Sequence, residues 1–340
     1  MLVVHAGPHK TGTTYIQVSY ARSRGALADS GWTYPEIGAP TSISGHHDLA
    51  HTPDQFLEED APGYAALAAL REQSNVVFSA EGFCRWEPSQ FIRLADILGE
   101  QDVEIVYVIR NPLMCLQSYW GEQIKQGFSA SLPERLAQNL VAPLRSRLLN
   151  PIVDLTPLLD HKRLNVRAVP YDLLLKDKVD IAAHIGEAVL GRPDLALVPQ
   201  REANVSFPIA LTEFLRALTV HVANGERHIK ADFRHDFMAV TTAEERDEIA
   251  DLIDTQCQHA RRVISFPKPV PLVGRIEKIL RRKLDGYWTY PVEDRPLLSE
   301  KSIRFEHYDG QSLWTTPAVN ERAMEILGRI EALRLKEGQH

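Results

Sequence analysis

The chain of 340 residues is short of cysteine, of basic charge and of long apolar runs, and each shortage removes a class of protein. Its three cysteines, Cys84, Cys115 and Cys257, are widely spaced with no Cys-x-x-Cys, which leaves neither a zinc framework nor an evident disulfide set. A reducing compartment is the simplest reading. The 38 Lys and Arg are outnumbered by 45 Asp and Glu, for a formal charge of −7, so the basic surface with which nucleic-acid binders displace counterions is missing. No apolar stretch approaches the ~20 residues of a membrane-spanning helix, and the opening apolar run is too short for a signal peptide. We therefore expect a cytoplasmic protein with no integral membrane segment and no nucleic-acid partner. Internal repeats and low-complexity tracts are also lacking, which excludes repeat architectures.

What is present starts at the amino terminus. Leu2-Val3-Val4 leads into Gly7-Pro8-His9-Lys10-Thr11-Gly12-Thr13-Thr14 and then a segment, residues 15–24, with helical character. Strand, loop and helix in that order leave backbone N–H groups pointing at one spot that the helix dipole makes attractive to an anion. Gly7-x-x-x-x-Gly12 has the spacing of a nucleotide phosphate loop, but the lysine stands at Lys10, two residues before the second glycine, and not after it. A lysine there reaches a different atom of the anion, nearer a bridging oxygen.

Further along, residues 75–83 read as a buried strand ending in Glu81, and residues 103–109 as the clearest strand in the chain, ending in Arg110. Asn111 and Pro112 then open a helix that carries Ser118 two turns in, so a guanidinium and a hydroxyl are available to clasp one anion. Residues 164–171 supply a fourth strand. The alternation predicts an α/β protein, a P-loop-type doubly wound parallel sheet flanked by helices, with a mostly helical C-terminal part. Residues 1–200 are expected to form the core. Residues 201–340 form a helical and irregular part packed on it and shaping an acceptor site, with helices over 210–222, 243–263 and 318–335 and irregular structure over 265–317. Residues 31–53, rich in Gly, Pro, Ser and His, read as a long surface loop; its His46, His47 and His51 could hold a metal, line an acceptor pocket or simply face solvent.

The loop Pro8-His9-Lys10-Thr11-Gly12-Thr13-Thr14, with Arg110 and Ser118 after a later strand, resembles the sulfotransferases that use 3′-phosphoadenosine 5′-phosphosulfate (PAPS), most closely bacterial members with a His-Lys-Thr-Gly-Thr-Thr loop. The resemblance implies that His9, Lys10, Thr11, Gly12, Thr13 and Thr14 hold the 5′-phosphosulfate and that Arg110 and Ser118 hold the 3′-phosphate. It also makes Glu81, in Ser79-Ala80-Glu81, the base, and Lys10 the group that stabilises the leaving oxygen. PAPS is then the donor and adenosine 3′,5′-bisphosphate (PAP) the product; no metal is called for. The acceptor would be a small molecule, a carbohydrate or a lipid, with Trp288, Tyr290 and Trp314 available to stack on it. The likeness covers about the first 175 residues by motif and is thin beyond, although Arg201 with Asn204-Val205-Ser206 looks similar to a segment of bacterial members. It departs from the cytosolic small-molecule enzymes, which use a histidine base and a late Arg-Lys-Gly; here Arg281-Arg282-Lys283 is followed by Leu284. The alternatives are a phosphate-loop kinase using Mg-ATP, with Thr13 on the metal and Glu81 as the second-strand acid, and a non-catalytic nucleotide-binding protein.

Overall fold

The structure, a computed structural model, describes residues 1–39, 44–73, 75–195, 197, 207–223, 232–268, 270–299 and 301–337. The segment Arg201 with Asn204-Val205-Ser206 lies outside the described residues. Two compact units are interleaved in sequence: Met1–Cys115, Pro143–Asn204 and Pro269–Glu300 make the first, and Leu116–Ala142, Val205–Lys268 and Lys301–His340 the second.

The first unit is α/β. Its strands are β1 (Leu2–His5), β2 (Val76–Ser79), β3 (Val103–Ile109) and β4 (Leu164–Pro170), all parallel in the order β2-β1-β3-β4. Every residue of β1 and β2 is buried, as expected of a parallel sheet covered by helices, and Val3, Val77, Val106 and Val169 share a core with Ile16 and Tyr20 of the helix Thr13–Arg22. The register aligns His5 of β1 with Ser79 of β2 and Val106 of β3. The ends of β1 and β2 are therefore level. Pairing continues past β1, Ala6 N donating to Val106 O at 2.9 Å and Val108 N to Gly7 O at 3.0 Å, so the loop after β1 leaves the sheet beside β3. Trp288 forms a parallel bridge with Ala168 at the outer edge of β4.

The second unit holds the antiparallel pair β5 (Arg261–Phe266) and β6 (Ile303–Tyr308) among helices that include Ile209–Ala223, Ala243–Gln256 and Pro317–Glu337. The helix Pro112–Lys125 begins in the first unit and continues into the second.

Three expectations are corrected. The helix expected over 243–263 stops at Gln256, because Arg261 to Phe266 pair with β6 and become β5. Residues 265–317 are not irregular: they contain the helix Pro271–Lys283, β6 and the helix Gly310–Thr315. Pro271 occupies a first helical turn, where its missing N–H costs nothing. Nor are the described residues of 31–53 a surface loop. Thr33 bridges Val76, a short helix spans His47–His51, and Trp32, Tyr34, His46 and Leu49 are buried.

Candidate functional site

Level strand ends bring the loop after β1 against the turn after β2. At Gly7, with φ +68°, an added Cβ would stand 2.9 Å from the Glu81 Cα, so only glycine fits this crossing. The loop then bends through Lys10, whose φ of 67° is unusual for a residue with a Cβ, and through Gly12 at φ +85°. Gly12 stands at the N-cap of Thr13–Arg22 and supplies no side-chain cap, and the first turn carries no acidic residue. Its amides are thus left for an anion. Thr11 turns inward to donate to Pro8 O at 2.6 Å and so braces the loop, whereas His9, Lys10 and Thr14 are half-buried.

Glu81 is buried at the start of a single 3₁₀ turn, Glu81–Arg85, that follows β2. Thr13 Oγ1 donates to its Oε1 at 2.5 Å, Gln17 Nε2 donates to its Oε2 at 3.2 Å, and His47 Nδ1 lies 3.7 Å from Oε2. Burial pushes the carboxyl pKa up, but the Thr13 hydrogen bond and the neighbouring His47 and His9 outweigh it and hold Glu81 below its usual value. It is a carboxylate at neutral pH.

Arg110 extends from the end of β3 to the same loop. Its Nη1 donates to Lys10 O at 2.5 Å, its Cζ lies 4.9 Å from the centre of the Tyr171 ring, and its Nε is buried with no hydrogen-bond partner among the described residues. Asn111 caps the following helix through Leu113 N at 3.1 Å, and its own N–H donates to Asp172 at 2.6 Å, which fixes where Arg110 departs. The first unit therefore gathers His9, Lys10, Thr11, Gly12, Thr13, Thr14, Glu81 and Arg110. Ser118 is exposed on the part of Pro112–Lys125 that belongs to the second unit.

Gln17 and Tyr171 were not legible as site residues, although each had a signal: Gln17 follows Thr13 by four residues on one helix face, and Tyr171 is the first residue after β4. Of the three loop histidines, His46 is structural. Its Nδ1 accepts from Ser79 N at 3.0 Å and its Nε2 donates to Pro35 O at 2.9 Å. Among the described residues no group of three His, Cys, Asp or Glu is placed to hold a metal. A cavity of about 460 Å³ in the first unit is lined by Arg281, Asp285, Trp288, Thr289, Tyr290 and Glu293. Trp314 instead borders a cavity of about 420 Å³ in the second unit, with Arg216 and His307.

His5 and His46 carry a measurable consequence. Burial lowers both to about 4, against a rise from the Glu81 charge at His5 and from hydrogen bonds to Pro35 and Ser79 at His46. A histidine whose folded pKa is depressed adds stability above its unfolded pKa, and that stability is lost as pH falls from 6.5 toward 4. Urea unfolding at pH 7 and pH 5 should differ by roughly 2 kcal/mol per histidine, with the lower stability at pH 5. Equal stability at the two values would mean that neither ring is buried in its neutral form.

Set against known proteins, the chain matches no family model, no curated protein and no solved structure.

Proposed function

We propose that this chain is a sulfotransferase that moves a sulfuryl group from PAPS to a hydroxyl of a glycan, glycolipid or other small acceptor by in-line displacement. One observation carries the reading: the loop of residues 8–14, the Arg110 guanidinium and the Glu81 carboxylate converge within a single unit. The strand order β2-β1-β3-β4 supports a P-loop-type doubly wound sheet, since connections leave β1 and β3 in opposite directions and ligands gather where that reversal occurs.

The residues present fit such a donor. The amides after Gly12, which no side chain caps, and the Nε of Arg110, which has no hydrogen-bond partner among the described residues, are donors suited to anionic oxygens. His9, Lys10 and Thr11 to Thr14 would hold the 5′-phosphosulfate, and Arg110 the 3′-phosphate. PAPS supplies an activated sulfuryl group with a good leaving phosphate. The protein's part is to place Lys10 near the bridging oxygen, to steady the sulfonate with loop donors and to remove the acceptor's proton through the Glu81 cluster. The cavity beside Trp288 and Tyr290 combines aromatic faces with Asp285, Glu293 and Arg281, a lining suited to a sugar ring. A cytoplasmic location belongs to the same proposal.

A second reading has one observation in its favour. Thr13 and Glu81 are in direct contact, as a loop hydroxyl and a strand-end acid would be on a shared Mg²⁺ in a phosphate-loop kinase. Calorimetry separates the two. Binding of adenosine 3′,5′-bisphosphate in EDTA is expected, dependent on the 3′-phosphate and weakened roughly 10- to 100-fold in Arg110→Ala, the worth of a charge-assisted hydrogen bond. Preference for Mg-ATP would replace the sulfotransferase reading with the kinase one, and retained donor binding without transfer would mark a non-catalytic nucleotide-binding protein.

A further inference from the structure

Glu81 is held on both sides by its own scaffold. Oε1 takes the Thr13 hydroxyl and Oε2 the Gln17 amide, and Gln17 is itself confined, because a Cβ at Gly45 would stand within 2.6–2.8 Å of its amide atoms. A carboxylate so engaged, with a side chain 9% exposed, is well placed to orient a neighbour and poorly placed to meet an acceptor. The neighbour is His47.

The segment before His47 is pinned to the end of β2. His46 N donates to Ser79 O at 2.8 Å, and the His46 ring joins Ser79 N to Pro35 O. That anchor puts the next residue beside Glu81, two positions past Ser79. His47 Nδ1 faces Glu81 Oε2 at 3.7 Å, so the Nε2 edge of the ring points away from the carboxylate, and the side chain is 21% exposed. The distance is longer than a formed hydrogen bond and is of the kind that closes when substrate binds. The charge-bearing groups that face the imidazole are Glu81, His46 and His51, the last stacked on it at 6.1 Å; His9 faces the same Glu81, Asp48 and Arg85 act on His51, and Arg85 also acts on His9.

We infer that His47 is the base that takes the acceptor's proton, with Glu81 as the positioning residue that orients its ring, an assignment that rests on the sulfotransferase reading of this site. In the step, the acceptor's O–H bond breaks and its proton goes to His47 Nε2. The electron pair left on the acceptor oxygen forms the new O–S bond. The bond from sulfur to the bridging oxygen breaks, and its pair leaves on the phosphate of PAP.

The test uses radiosulfur-labelled PAPS with a panel of monosaccharides, phenols and primary alcohols, and water as the acceptor of last resort. Bisphosphate binding and the thermal midpoint are measured beside it. His47→Gln should keep donor affinity and midpoint while transfer falls by ~10²-fold or more, and free imidazole should restore part of the transfer in His47→Ala. Transfer by His47→Gln at the wild-type rate would overturn the assignment and leave the sulfotransferase reading standing, with Glu81 the direct base. Joint loss of donor affinity and transfer would make His47 structural and overturn it as well. A wild-type chain that binds no bisphosphate, or binds it and transfers to nothing, fails the sulfotransferase reading and this assignment together.

Discussion

Lys10→Ala is expected to lower turnover by ~10²–10³-fold, the loss seen when one donor to a developing oxyanion is removed. The physical grounds for a clean experiment are in the backbone. Lys10 sits at φ 67°, and alanine, like lysine, carries a Cβ, so the substitution neither adds nor relieves strain there. The bond from Arg110 reaches the Lys10 carbonyl, which every side chain shares. The loop should therefore keep its shape while losing its ammonium. Radiosulfur transfer under saturating PAPS reads the effect, with the unfolding midpoint as control. Turnover close to wild type would take Lys10 out of the chemistry and leave the loop amides as the main stabilisers.

Glu81→Gln is expected to keep donor affinity and to lose transfer by ~10²–10⁴-fold, the range for removing a general base or the group that positions it. Glutamine preserves size and can still accept from Thr13. It presents an amide to either Gln17 or His47, however, and carries no charge to face His47 and His9. The carboxylate is ionised at neutral pH, so the loss of charge is real under assay conditions. Bisphosphate calorimetry beside the transfer rate makes the distinction: weakened donor binding would assign Glu81 to the donor pocket and not to proton removal. Unchanged transfer would take Glu81 out of the reaction, both as a base and as the group that orients His47.

Much of the first unit was legible before any coordinates. The runs at Leu2, Val76 and Val103 are apolar without alternation because both faces of a parallel sheet are covered, and that pattern is local. The glycines of the first loop were legible for the same reason: a tight crossing followed by a helix start needs them. The failures came where structure depends on a distant partner. Arg261 to Val263 continue a helical pattern in sequence, yet Arg261 to Phe266 become a strand because Ile303 to Tyr308 lie alongside. Residues 31–53 have a loop's composition, yet the pairing of Thr33 with Val76 and the anchoring of His46 on Ser79 bury their aromatic rings.

The sequence by itself determined the order of strands and helices as far as β4 and the glycine-bounded loop after β1, because periodicity, glycine and proline act over a few residues. The tertiary structure alone decided what surrounds Glu81. Gln17, His47 and Thr13 are separated from it by 64, 34 and 68 positions; the parallel register that levels β1 with β2 brings Thr13 and Gln17 to the carboxylate, and the anchoring of His46 on Ser79 brings His47. No local pattern encodes that meeting, since it is set by how whole elements pack and not by the residues beside each one.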